Sequence, residues 1–264
     1  MRDSISVSDD ASVQYLLRIA DSCLILSQRL SEWCGHAPVL EEDIAMANMA
    51  LDLLGQARAL YTRIATLEGA GRDEDQLAFL RDERDYRNAT LVELPNGAGR
   101  DGKRDFAIAV LRNVVMATFL KQLWEQLAHS SDAEVAAIAG KAVKEARYHQ
   151  QHAGEWIVRL ADGTDESRRR VDAAIDRLWI YTAELFEDDA VDAAAEASGL
   201  GPRWSALRDG FTADMTSLFD EAGLPLPKET GFRSHGKIGR HSEYMGFVLA
   251  EMQHLQRAYP GGVW

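Results

Sequence analysis

Residues 144–152, KEARYHQQH, bring a glutamate and two histidines to one face of a helix. Glu145 to His149 is four residues and Glu145 to His152 is seven. At about 100° per residue the three side chains therefore project within about 60° of one another. A carboxylate and two imidazoles so placed suit iron or zinc. The competing reading is as physical: a Glu and a His four apart on a helix also form ion pairs and buried polar contacts. On spacing alone a packed, hydrogen-bonded remnant or a solvated surface is favoured over ligation.

A second test concerns paired iron. A carboxylate-bridged di-iron bundle takes one Glu from each of two helices and a Glu-x-x-His from each of two others. The histidines are His36, His129, His149, His152, His235, His241 and His254, and only His254 has a glutamate, Glu251, three residues before it. With a single Glu-x-x-His, the usual site cannot be assembled. Glu32 with His36 and Glu125 with His129 fall at helix ends, where a histidine is favourable to the helix dipole. Asp52 lies on a helix expected to be buried, where an unpaired charge costs several kcal/mol (roughly, by desolvation) and must find a partner. Asn48 and Gln56 flank it at four residues, which makes a polar stripe. Two alternatives stay open: an unusual ligand set of Glu145, His149, His152 and either Asp52 or Glu83, and a helical pocket for a small molecule.

The elements that position these residues all read as helices. Apolar residues recur at three and four with hardly any alternation, and the six prolines avoid the long periodic segments. The pattern predicts helices over about 12–35, with Ser12 as cap, then 41–68, 73–92, 105–129, 132–161, 165–190, 203–222 and 238–258. Glu41, Glu42 and Asp43 suit the positive end of the second helix, and LPNGAGRDGK at 94–103 is a loop. The short HSSD link makes the two helices around it antiparallel neighbours, with Ser and Asp available as caps. Helices 41–68 and 105–129 are apolar around most of their circumference, so both are expected to be central. The result is an all-α bundle forming one domain over 1–264, with residues 1–11 flexible.

Composition narrows the partners. The 264 residues carry 29 basic and 42 acidic side chains, a formal charge of -13, which disfavours nucleic acid and anionic membrane surfaces. The polar, acidic N-terminus lacks the apolar core of a signal peptide, so a cytoplasmic location is expected. Cys23 and Cys34 are eleven apart on one predicted helix, too far to bridge, and are expected to be buried and reduced. The basic run SRRRVD at 167–172 could touch phosphates, but acids beside it favour a solvated face. No Gly-x-Ser-x-Gly or P-loop is present.

Four long segments carry a resemblance: LSEWCGHAPVLEEDIAMANMALDLLGQARAL at 30–60, GRDEDQLAFLRDERDYRNATLVELPNG at 71–97, KEARYHQQHAGEWIVRLADGT at 144–164 and GKIGRHSEYMGFVLAEMQHLQRAYPGGVW at 236–264. Through them the chain, from about Tyr15 to Trp264, closely resembles the C subunits of bacterial ring 1,2-phenylacetyl-CoA epoxidases. The resemblance implies a ferritin-like fold and a non-catalytic role. It implies that no cofactor is bound by this chain and that iron resides in a catalytic A subunit as partner. Further epoxidase subunits include a reductase that uses NADPH. Homodimer contacts are an added expectation for the isolated chain. Under this resemblance Asp52, Glu83, Glu145, His149 and His152 are candidates for a degenerate former metal site.

Overall fold

The computed structural model describes residues 4–97, 103–260 and 262. Its first long helix, α1 (Ala11–Ser31), begins at Asp10 rather than Ser12: the Asp10 carboxylate accepts from the Ser12 and Val13 amides at 2.9 and 3.2 Å. Residues 4–10, expected to be flexible, run along the core, with the Ile5 amide bonded to the Leu80 carbonyl at 3.1 Å and the Ser8 amide to Glu68 at 3.0 Å. Residues 1–3 of that expectation lie outside the described residues.

The second long helix is α2 (Leu40–Glu68), ended by Gly69 in the left-handed conformation. The predicted third helix is broken: α3 (Glu74–Phe79) has an Asp73/Gln76 capping box, a single 3-10 turn follows at Glu83–Asp85, and α4 (Thr90–Glu93) resumes. Then come α5 (Phe106–Leu127) and α6 (Ala133–Ala161), the latter capped by Asp132 in the short link as expected. Helix α7 (Asp165–Leu178) stops well before 190, and a 3-10 stretch, Trp179–Phe186, replaces its predicted end. The sequence pattern missed α8 (Ala190–Ser198); a 3-10 turn at Trp204–Leu207 leads into α9 (Arg208–Glu221). The last predicted helix is two short ones, α10 (Met245–Met252) and α11 (His254–Ala258).

Helices α1 and α2 form one antiparallel pair, α5 and α6 the other, and α2 packs along α6 to make a four-helix layer. The remaining helices wrap it: α8 and α10 on α1, α7 and α9 on the α5–α6 pair. That wrapping explains why α1 and α5 are buried nearly all round. Among the described residues α5 is the one helix long and apolar enough to cross a membrane, and 83% of its apolar window is buried inside the protein. Helix α2, expected to be equally central, is not. Its Ile44, Leu51 and Leu54 are exposed, because among the described residues only the short α3 packs on that side, near Leu54.

Two further differences concern single residues. Cys23 is buried, and burial pushes its thiol pKa well up, so it stays protonated. Cys34 is exposed, because α1 ends at Ser31 and leaves it in the turn beyond.

Candidate functional site

The interior edge where α2 meets α6 holds the residues with chemical potential. Along α2, Glu42, Met49, Asp52 and Gln56 recur at helical spacing toward α6; along α6, Glu145, His149 and His152 face them. His149 is buried and its Nε2 lies 3.1 Å from Asp52 Oδ2, a bond it donates when that nitrogen carries the proton. Burial lowers the His149 pKa below 6.5, against the pull of Asp52, so the imidazole is neutral at pH 7. His152 Nε2 stands 3.1 Å from Glu42 Oε2, within ion-pair range but outside hydrogen-bond alignment. The Glu145 carboxylate meets neither histidine's partner: it accepts from Gln56 Nε2 at 2.9 Å and pairs with Lys141 Nζ at 3.3 Å.

Immediately inward of this edge the contacting side chains are neutral. The Cys23 thiol contacts Gln56 Oε1 at 3.6 Å, and Asn113 Nδ2 donates to the Met49 sulfur at 3.3 Å. A chain of polar contacts thus runs from Cys23 through Gln56 and Glu145 to the exposed Lys141.

The structure brings together four of the five residues singled out in the sequence, but in separate pairs. Helical spacing put Glu145, His149 and His152 on one face; the partner helix then divides them, since each meets a different α2 residue. Asp52 is less buried than expected, with 37% of its side chain exposed. Glu83 does not join the group. It lies in the 3-10 turn at 83–85, with Oε2 near Gly246 of α10. The lone Glu-x-x-His is also remote and exposed, Glu251 on α10 and His254 on α11. Sequence reasoning missed Glu42 as the His152 partner, having assigned it to the helix dipole. The i, i+7 and i+10 spacing of Glu42, Met49 and Asp52 could have shown that they share a face.

The donor set does not fit a di-iron centre. Such a centre needs four inward carboxylates and two imidazoles, whereas here the acids and imidazoles stand in separate pairs and the side chains next to them are a protonated thiol, a thioether and two amides. Among the described residues no three His, Cys, Asp or Glu side chains gather as a metal-ion set. Exposed pairs do not alter this: Glu125 is bound by Arg147 at 2.8 Å rather than by His129.

Four long helices in two antiparallel pairs, with chemistry-bearing residues along the inner edge where α2 meets α6, define a ferritin-like bundle. A family model described as phenylacetic acid catabolic protein matches residues 1–264, and the chain belongs to that family. The C subunit of the 1,2-phenylacetyl-CoA epoxidase of Escherichia coli (strain K12) is 47% identical over 250 residues, covering 95% of this chain and 98% of that protein.

Proposed function

We propose that this chain is a non-catalytic structural subunit of a 1,2-phenylacetyl-CoA epoxidase, acting in aerobic phenylacetate catabolism. It pairs with a homologous catalytic subunit that holds the iron, and with that subunit joins a larger assembly including a reductase. The expected setting is cytoplasmic. The observation that carries this reading is the α2–α6 edge: its acids and histidines stand in separate pairs, and the neighbouring inner side chains, Cys23 with Gln56 and Asn113 with Met49, are neutral, whereas a di-iron bundle brings four carboxylates and two imidazoles together. The 47% identity to an epoxidase C subunit supports the assignment of a subunit role.

In this role the chain's residues position rather than react. The α2–α6 pairs fix the two helices against each other, and the buried thiol and amides bond between helices beside them. The test is co-expression with the catalytic subunit. The expected result is a stable complex that epoxidises phenylacetyl-CoA, with iron in proportion to the catalytic subunit alone. A chain that stays monomeric beside the catalytic subunit, or one that carries stoichiometric iron lost in His149→Ala, overturns the reading.

A further inference from the structure

Helix α2 exposes an apolar seam that its own fold leaves uncovered. Leu40, Ile44, Ala47, Leu51, Leu54 and Arg58 follow one another at steps of 4, 3, 4, 3 and 4 residues, the spacing of coiled-coil core positions. Leu40, Ile44 and Leu51 are 73%, 54% and 63% exposed, in a bundle whose other long helices bury such residues. The seam is about 27 Å long at 1.5 Å per residue, room for five turns of a facing helix. Gly55 lies beside it, and a Cβ placed there would meet nothing within 4 Å, so a second backbone can approach closely.

Two features mark the ends and edge of this face. At its C-terminal end Leu54 and Arg58 also line a cleft of about 390 Å³ between α2 and α3, walled by Leu24, Tyr61 and Phe79. A cleft of that kind receives a large apolar anchor. Along the α6 edge stands Tyr148, half exposed, its ring 6.1 and 5.9 Å from those of His149 and His152. Tyrosine is enriched at the centres of protein interfaces.

We infer that the α2 seam is the docking face for an antiparallel or parallel α-helix of a different subunit, one with its own apolar heptad seam and basic residues at its edges. This rests on the structural-subunit reading above and assigns the face through which that pairing occurs. Charge decides against a second copy of this chain. Glu41 and Asp43 stand at one end of the seam, while at the other Arg58 is already paired with Glu74 at 3.0 Å beside Asp75. Two copies laid together in either direction bring acids against acids; a basic-edged helix is complementary.

The experiment uses the full-length chain co-expressed with the catalytic subunit, with the affinity of the pair read by sedimentation or titration. Ile44→Asp and Leu51→Asp are expected to weaken the pair about 30-fold or more each, the loss associated with a central interface residue. Both positions are exposed, so the thermal midpoint of the isolated chain should be retained. Phe247→Asp, at a 69% exposed site on α10, should leave the pair intact. Glu41→Lys should weaken it by a smaller factor. Wild-type affinity in both seam variants overturns the inference, as does loss in Phe247→Asp alone or a seam effect confined to self-association. A tighter pair in Glu41→Lys overturns the basic-edge part. Failure of the wild-type chain to pair at all would instead sink the subunit reading, so the two failures are distinguishable.

Discussion

Two regions of the molecule carry buried charge and handle it differently. On the α1 side Asp21, fully buried, takes a bidentate grip from Arg81 at 2.5 and 2.9 Å, a 2.5 Å bond from the Tyr61 hydroxyl and the Arg87 amide at 2.7 Å. Every lone-pair direction of that carboxylate is used, and Arg81 in turn sits over the rings of Tyr86 and Tyr61. On the α2–α6 edge, Asp52 and Glu42 each meet only one histidine; Asp52 stays in partial contact with water, and the buried Glu42 Oε2 has no aligned hydrogen bond. The residues that look like metal ligands occupy the loosely bound region, and the carboxylates that hold the fold together are the ones whose positions gave no chemical signal.

The same contrast extends to the C-terminal segment. Buried Glu184 accepts from the Thr90 amide, the Ser234 hydroxyl and the Lys237 amide at 3.0, 2.6 and 2.9 Å. Buried Glu93 accepts from Asn88 and His241 at 3.0 and 2.8 Å and from the Ser242 amide. These two carboxylates strap residues 234–242, which have little regular structure, onto α4. The strap passes so close to α4 that a Cβ at Gly236 would fall 2.4 Å from the Asn88 carbonyl oxygen.

Removing a member of the saturated network should have the largest effect. Asp21→Ala leaves the Arg81 guanidinium buried without its carboxylate, a situation that typically costs about 3–5 kcal/mol. Asp52→Ala leaves only a neutral imidazole that has lost one partially exposed acceptor, and should cost about 1 kcal/mol or less. Urea unfolding of the two variants measures the difference directly. Equal losses would mean that the α2–α6 edge is as sealed as the α1 side. Between them in size stands Gly236→Ala, where backbone must move to admit a methyl group, at about 1–3 kcal/mol.

The histidines of the two regions should give opposite pH dependences. His241 is enclosed; burial alone would lower its pKa, but the Glu93 hydrogen bond and charge outweigh this and hold it above 6.5. Its stabilising contribution is therefore full below the unfolded value of 6.5 and is lost as pH rises through the folded value. His149 is shifted the other way, below 6.5, by burial, with Asp52 opposing. On acidification below 6.5 the unfolded chain takes up the proton first, and stability falls until the folded pKa is reached. Unfolding midpoints followed from about pH 5 to about pH 8 should flatten on the alkaline side in His241→Gln and on the acid side in His149→Gln. Slopes of the same sign in both variants would break the contrast.

How far the sequence revealed this molecule depended on what each segment packs against. The bounds of α2, α5 and α6 were legible to within a residue or two, because long apolar periodicity and the Asp132 cap are local signals. The break between α3 and α4 was not: FLRDERDYRNA at 79–89 has helical composition, but Asp21 claims Arg81 and the Arg87 amide from a distant helix and overrides it. The 3-10 stretch at Trp179–Phe186 likewise follows tertiary contacts, with Phe186 against Phe119 and Phe211. Of the candidate site, helical arithmetic placed Glu145, His149 and His152 on one face, but nothing local showed that Glu42, Asp52 and Gln56 would separate them. Nor could it show that the apolar residues of α2 at Ile44 and Leu51 face outward, since a seam awaiting another helix and a core stripe have the same spacing.

The smallest effect is expected where the sequence shows its densest positive charge. SRRRVD opens α7, and there Glu166 accepts from Arg169 at 2.9 Å through both oxygens and from Arg170 at 2.8 Å. Arg168 bonds the Gly223 carbonyl at 3.0 Å. The hydrogen bonds from Arg169 and Arg170 bring the Glu166 pKa down to about 2. Yet all three side chains are solvated, so water and salt screen the attraction and side-chain ordering offsets the rest. Glu166→Ala should therefore leave the unfolding midpoint unmoved, although the carboxylate is the most strongly paired group on that face. A measurable loss would show that the α7 face is covered in the assembly or drier than its exposure implies, and would bring it closer to the sealed α1 side than to the open α2–α6 edge.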